Sequence, residues 1–324
     1  MNTALPIHAY REAILASVAS HPVTILVAET GAGKSTQVPQ YLLEQGLRVL
    51  VTQPRRLACS TVAERVAQEW GCQLGGAVGY RTARDRHDGP ETACLFATEG
   101  LALIREILRA RRAYDVLVLD EVHEWSRDME VLMAWARREL QMGAGFRLVL
   151  MSATLEAERL SAHFGGAPII EVPGRTFHVE TRPHAQHMSH LREEPWGAMA
   201  KDIRWLVLRG KNVLAFCPGK GEISALRQKL ADLDAEVLPL HGGLDRTEQA
   251  LCFLRYPRPK VIIATNIAQT SITIDDIDAV VDSGLERRIE VHHGVEGLYL
   301  RPISRADSAQ RKGRAGRTRV GVYI

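Results

Sequence analysis

The stretch Val23-Thr24-Ile25-Leu26-Val27-Ala28-Glu29-Thr30-Gly31-Ala32-Gly33-Lys34-Ser35-Thr36 decides the fold of this chain. Val23 to Val27 is a short apolar run, which predicts a buried strand. Gln37 to Glu44 reads as a helix, and the turn between them is glycine-rich and ends in Gly-Lys-Ser. Strand, glycine turn, lysine and helix are what a phosphate-binding loop requires. Successive backbone N–H groups curl round phosphate oxygens, and the helix N-terminus adds a positive dipole end. Thr30, Gly31, Ala32, Gly33, Lys34, Ser35 and Thr36 therefore form the expected nucleotide cradle. Lys34 would reach the β- and γ-phosphates, and the Ser35 hydroxyl would bind Mg²⁺. Ala28 stands where the common G-x-x-x-x-G-K-[ST] pattern has its first glycine. An alanine can close a strand without a positive φ, so this change is expected to be neutral.

Outward from the loop, the same pattern recurs. Arg11 to Ala19 reads as a helix, and Arg48 to Thr52 as a second strand followed by Gln53-Pro54-Arg55-Arg56 and a helix through Trp70. Asp115 to Leu119 is a strand that runs into Asp120-Glu121-Val122-His123, and Arg147 to Met151 one that runs into Ser152-Ala153-Thr154. Strands alternating with helices, with polar clusters at strand C-termini, predict a parallel α/β sheet with its site along the carboxyl edge. Hydrolysis of a nucleoside triphosphate needs Mg²⁺ between the phosphates, a placed water and positive charge on the transition state. Asp120, at a strand end, suits the Mg²⁺-binding acid, and Glu121 suits the group that orients or deprotonates the water.

A second α/β series follows a polar connector, Pro183 to Pro195, in which His184, His187 and His190 lack the partners of a metal set. Helices Trp196–Leu208, Gly221–Leu230 and Asp245–Leu254 alternate with strands Asn212–Phe216, Glu236–Leu240, Lys260–Ala264 and Ala279–Val281. The expected domains are 1–180 and 181–324, the second carrying a β-hairpin at 285–303 and no phosphate loop. It ends in Gln310-Arg311-Lys312-Gly313-Arg314-Ala315-Gly316-Arg317. Arg314 and Arg317, flanked by small residues, can approach a phosphate closely, and a planar, permanently charged fork suits that role. A triphosphate would then lie in the cleft between the domains.

Bulk properties agree with a two-domain α/β protein. The 324 residues are 46% hydrophobic and 24% charged, with a net charge of +3. No apolar run reaches the ~20 residues of a membrane span, and Met1 to Tyr10 does not read as a secretory signal. Five scattered cysteines without a Cys-x-x-Cys pair point to a reducing, cytoplasmic setting. The mild charge means that a nucleic-acid site must come from local patches such as Arg301 to Arg319.

These segments resemble the superfamily 2 DEAH-box RNA helicases, in particular the bacterial HrpA/HrpB type. The resemblance rests on Gly-Ala-Gly-Lys-Ser-Thr at 31–36, Thr-Gln-Pro-Arg-Arg at 52–56, Thr-Glu-Gly at 98–100 and Asp-Glu-Val-His at 120–123. It continues through Ser-Ala-Thr at 152–154, Phe-Cys-Pro-Gly at 216–219, Ala-Thr-Asn-Ile-Ala-Gln-Thr-Ser at 264–271 and Gln-Arg-Lys-Gly-Arg-Ala-Gly-Arg at 310–317.

The resemblance implies two tandem RecA-like domains with mostly parallel sheets, with nucleotide and RNA bound at and across their cleft. It implies an ATP-dependent helicase core, using ATP or another NTP with Mg²⁺ and moving 3′ to 5′ on RNA. Gln310 matches the glutamine that helps to place the water, and Arg314 and Arg317 match the finger pair. His123, Ser152 and Thr154 match motifs that couple hydrolysis to movement. Arg65 and Phe253 match the pair that sandwiches the base, and such stacking allows loose nucleotide specificity. Arg55, Arg56, Thr98, Thr265, Asn266 and Thr270 match positions on the RNA backbone, contacts that hold a strand without reading it. The hairpin matches an element near the duplex junction in relatives. The expected partner is single-stranded RNA, with a duplex junction near the hairpin, and the expected state is a monomer.

Two departures stand out. Val122 replaces the DEAH alanine, and Gln269 stands where the fifth motif usually has glutamate, which puts that contact in question. Relatives continue into winged-helix, helical-bundle and oligonucleotide-binding-fold domains, so the chain reads either as a minimal protein or, the favoured expectation because Val320 to Ile324 reads as the inside of a strand, as a piece of a longer one. Two narrower activities fit the same motifs: an RNA-stimulated NTPase that remodels RNA–protein complexes, and a nucleotide-gated RNA-binding module.

Overall fold

Every residue of strand β1 (Val23–Ala28) is buried, because the sheet it belongs to is covered on both faces. In the computed structural model the described residues are 5–29, 31–108, 113–153, 157–174, 177–183, 195–269, 274, 276–292, 295–316 and 319–324. They form two compact units, 1–175 and 176–324.

The first unit holds α1 (Arg11–Ser20), β1, α2 (Lys34–Glu44), β2 (Val49–Gln53), α3 (Arg56–Trp70), β3 (Val78–Arg81), β4 (Arg86–His87) and β5 (Cys94–Thr98). It continues with α4 (Glu99–Leu108), β6 (Val116–Leu119), α5 (Arg127–Gln141), β7 (Arg147–Ser152), α6 (Ala157–His163) and β8 (Ile169–Val172). The strands lie in the order β4-β3-β5-β2-β6-β7-β1-β8 and are parallel except for β3–β4. Alternate side chains point to opposite faces of a strand. On β1, Leu26 and Ala28 pack with Val38, Leu42, Ala63 and Val66 of α2 and α3, whereas Val23, Ile25 and Val27 pack with Leu132, Met133 and Leu160 of α5 and α6. Two layers of helix sandwich the sheet, and only its carboxyl edge is left open for polar chemistry.

The second unit holds β9 (Val179–Thr181), α7 (Trp196–Val207), β10 (Val213–Phe216), α8 (Lys220–Lys229), β11 (Glu236–Leu240), α9 (Arg246–Leu251), β12 (Lys260–Ala264) and β13 (Ala279–Asp282). It ends with β14 (Leu285–His292), β15 (Val295–Pro302), α10 (Arg305–Lys312) and β16 (Gly321–Tyr323). Its parallel sheet runs β11-β12-β10-β13-β16-β9, while β14 and β15 form a separate antiparallel ribbon. The domain boundary expected at 180 needs correction. Val179–Thr181 pairs with Gly321–Tyr323, so its hydrogen bonds place β9 in the second sheet. Helix α9 stops at Leu251, three residues earlier than the sequence reading places it.

Candidate nucleotide and RNA site

The phosphate loop turns where β1 ends. Gly31 and Gly33 adopt φ of 92° and 99°, a region open to glycine at little cost. A Cβ on Gly33 would lie 2.9 Å from Leu5 Cδ1, so a side chain there would also have to push Leu5 aside. Ala28 is the last residue of β1, is fully buried and lies outside the positive-φ set, which is why it needs no glycine. Lys34 is only 3% exposed, and its Nζ donates to Glu121 Oε1 at 3.0 Å.

Sheet order explains how distant motifs meet. β7 lies between β1 and β6, and β2 lies on the other side of β6. Thr52 pairs with Leu119, so Gln53 and Asp120 leave the sheet side by side. Gln53 Nε2 donates to Asp120 Oδ2 at 2.7 Å, and Ser35 hydrogen-bonds the same carboxyl. Burial pushes the Asp120 carboxyl up, Glu121 adds to this, and Lys34 with the two hydrogen bonds opposes it. A wholly buried carboxylate beside a serine hydroxyl is an oxygen donor set that fits Mg²⁺. Gln53 falls in the Thr-Gln-Pro-Arg-Arg stretch at 52–56, but the sequence assigns it no role of its own; the pairing of β2 with β6 does.

Glu121 is the one non-glycine residue with positive φ among the described residues, at φ 57° and ψ 39°. It opens the 3₁₀ turn Val122–Glu124. His123 Nδ1 accepts the Ala153 N–H at 3.3 Å, so the ring proton sits on Nε2, which faces Glu121 Oε2 at 3.5 Å. Burial, helped by Lys34 and Arg55 and opposed by Glu121 and Glu124, lowers the His123 pKa, which favours the neutral ring. The backbone of the Ser-Ala-Thr segment thereby touches the acid pair through one imidazole. Ser152 is 2% exposed at the end of β7.

The RNA candidates of the first unit stand at neighbouring strand ends of the same edge. Arg55 and Arg56 follow β2 and Thr98 ends β5, with Gln53 opposite Thr98 in register. Arg56 is exposed, whereas Arg55 pairs with Glu124 at 3.1 Å. Arg65 donates to Glu69, which also receives Gln37 and Gln40 from α2. In the second unit, Thr265 and the exposed Asn266 follow β12, and Phe253 is 38% exposed after α9.

The arginine-rich segment is more ordered than a basic turn. Gln310 lies on α10 and Arg314 in the turn after it, 3% exposed. Both end on Gln269. Gln310 Oε1 accepts from Gln269 Nε2 at 3.0 Å, and Arg314 Nε donates to the Gln269 carbonyl at 2.8 Å. Within this unit Gln269 is the hub of the cluster. Arg311 is a buried strut, bonded to Asp282 at 2.7 Å and stacked over Phe216. Thr30, Thr154, Thr270, Arg317, His184, His187, His190 and the His293–Gly294 turn lie outside the described residues.

A phosphate loop and strand-end acid pair on one parallel sheet, with an arginine–glutamine cluster on a second, define a two-domain P-loop protein of the helicase class. Residues 9–162 match the DEAD/DEAH box helicases, and residues 198–319 match the helicase conserved C-terminal domain. Together these matches take in most of the chain, which carries both of the domains by which the DEAD/DEAH box helicases are matched. It is 35% identical to the ATP-dependent RNA helicase HrpA of Escherichia coli over 99% of its length, and 37% identical to the human probable ATP-dependent RNA helicase DHX34 over 98%. The crystal structure of the Escherichia coli DEAH/RHA helicase HrpB matches with a TM-score of 0.88 and 34% identity, over 98% of this chain and 42% of that one. The chain spans 26% of HrpA and 30% of DHX34.

Proposed function

We propose that this chain is an ATP-dependent RNA helicase core that couples hydrolysis of Mg-NTP to movement along RNA, 3′ to 5′, and to its unwinding or remodelling. The observation that carries this reading is the buried Lys34–Glu121 ion pair beside Asp120, because it joins the phosphate grip to the base that hydrolysis needs. A triphosphate entering the loop takes the Lys34 ammonium for its β- and γ-oxygens. That releases the Glu121 carboxylate, which accepts a proton from water as the water oxygen bonds to the γ-phosphorus and the β–γ bridge breaks. Ser35 and Asp120 would hold Mg²⁺, which when bound neutralises charge on the phosphates. Gln310 would help to place the water, and Arg314 with Arg317 would stabilise the transition state. His123 carries the state of Glu121 to the Ala153 backbone. Arg55, Arg56, Thr98, Thr265, Asn266 and Thr270 hold the RNA backbone, while Arg65 and Phe253 hold the base. The free cysteines favour a cytoplasmic protein, and it would act as a monomer. Among the described residues no helix is long and apolar enough to cross a membrane.

RNA-stimulated phosphate release tests the reading. Glu121→Gln should lose about 10²–10⁴-fold in kcat, the usual worth of a positioned base, and Arg314→Ala about 10³–10⁵-fold. Retention of activity within threefold in Glu121→Gln would sink it. Duplexes with a 3′ or a 5′ overhang test direction, and faster displacement from the 5′ overhang would reverse the polarity.

A further inference from the structure

Gln269 is 5% exposed and all of its side-chain polar groups are engaged. Its Nε2 donates to Asp307 Oδ1 and to Gln310 Oε1, and its Oε1 accepts from Arg311 Nε at 3.1 Å. Its main-chain carbonyl accepts from Arg314 Nε and Nη2. Four side chains of α10 and the following turn therefore end on one residue. Asp307 is itself fixed, because it closes a capping box with Ser304 at the start of α10. Burial alone would raise its carboxyl. Hydrogen bonds from Ser304 and Gln269 and the nearby Arg311 charge outweigh this and hold it below the ordinary range.

A glutamate at this position has no N–H to give. It would set a second carboxylate against ionised Asp307 and leave Gln310 Oε1 without its donor. Gln310 and Asp307 are half-buried, and there an acceptor left without its donor and a like-charge contact both cost stability.

We propose that Gln269 is a positioning residue for the phosphate-facing cluster: its carboxamide fixes Gln310, its carbonyl aims Arg314, and its amide is matched to Asp307 as a glutamate cannot be. This rests on the roles given to Gln310 and Arg314 above. The departure from the family's glutamate is then a paired feature of this chain. The carbonyl contact survives substitution of the side chain, so a change at 269 acts on Gln310 first and on Arg314 through the shift of α10.

The test compares the whole chain with Gln269→Glu, Asp307→Asn and the double variant. In RNA-stimulated phosphate release, Gln269→Glu should lower kcat about 10–100-fold through misplacement. The KM for ATP should stay within about threefold, since the phosphate grip is untouched. In the double variant the carboxamide brought in by Asp307→Asn can donate to the carboxylate brought in by Gln269→Glu. That variant should therefore regain at least about tenfold over Gln269→Glu alone. Thermal melting adds a readout that needs no activity: Gln269→Glu should melt about 3 °C or more below wild type, and the double variant should recover most of it. Gln269→Glu within twofold of wild-type kcat, or a double variant no better than the product of the singles, would overturn the proposal. If the wild type releases no phosphate, the helicase reading fails, while the melting series still decides whether Gln269 and Asp307 are matched.

Discussion

Glu99 is the residue whose charge the fold resists most plainly outside the nucleotide site. It is 5% exposed, accepts a hydrogen bond from Ser126 and faces Glu124 and Asp128. Burial, partly offset by Ser126, pushes its pKa up to about 6, above an ordinary glutamate near 4.3. A folded-state pKa raised in this way favours the folded protein below the unfolded pKa, and that contribution is lost as pH rises through about 6. Glu99→Gln keeps the acceptor for Ser126 and removes the charge. It should leave stability nearly unchanged at pH 4.5 and stabilise the first unit by about 1–2 kcal/mol at pH 7.5, from about 1.4 kcal/mol per pK unit. Melting curves at the two pH values check this, and a difference that does not grow with pH would refute it. Residue identity was a good guide where chemistry needs one side chain, as at Lys34 or Asp120. It assigned no individual role to Glu99 and Gln53, although both fall inside quoted motifs, because their roles come from neighbours far away in the chain.

At the scale of elements, the strands with apolar runs were legible because burial on both faces demands such runs. Short β3, with Gly79 and Arg81 among its four residues, carries no such signal, and its place was set by pairing with β5. Helix α10 was hidden for another reason: its arginines read as surface chemistry and drew attention from its cap. The available signal was Ser304 three residues before Asp307, a capping box in which each side chain receives the other's backbone N–H. That cap fixes the first turn of the helix that carries Gln310. Ser304→Ala should destabilise the second unit by about 1 kcal/mol, seen as a fall in melting temperature of about 2–4 °C. It should also lower kcat, because the frayed turn loosens Asp307 and with it Gln269. Restoration by Ser304→Thr or Ser304→Asp, which supply the same acceptor, separates the cap from the loss of a surface hydroxyl. Failure of both to restore stability would contradict the role given to the cap.

For the whole molecule, charge sets how the proposed RNA contacts would hold a strand. The net charge of +3 on 324 residues cannot supply a strong long-range field. The backbone contacts proposed here are mixed: Arg55 and Arg56 are cations, while Thr98, Thr265 and Asn266 are neutral donors. Only neutralised phosphates release counterions, at a slope of about −0.7 each in log affinity against log salt for single strands. Arg55 already pairs with Glu124, so a contact to phosphate must exchange one anion for another. The salt dependence should therefore be shallow for a nucleic-acid protein, with a slope of about −0.7 to −1.4 from these two arginines. Arg56→Ala should flatten it by about 0.7 and weaken binding most at low salt. Thr265→Ala should weaken binding by a similar factor at every salt concentration and leave the slope alone. Fluorescence anisotropy with a short single-stranded RNA, titrated from low to high salt, reads both quantities at once. A wild-type slope steeper than about −4 would mean that several more cations touch phosphate than the two arginines identified. The basic stretch from Arg301 onward would then be where to look for them.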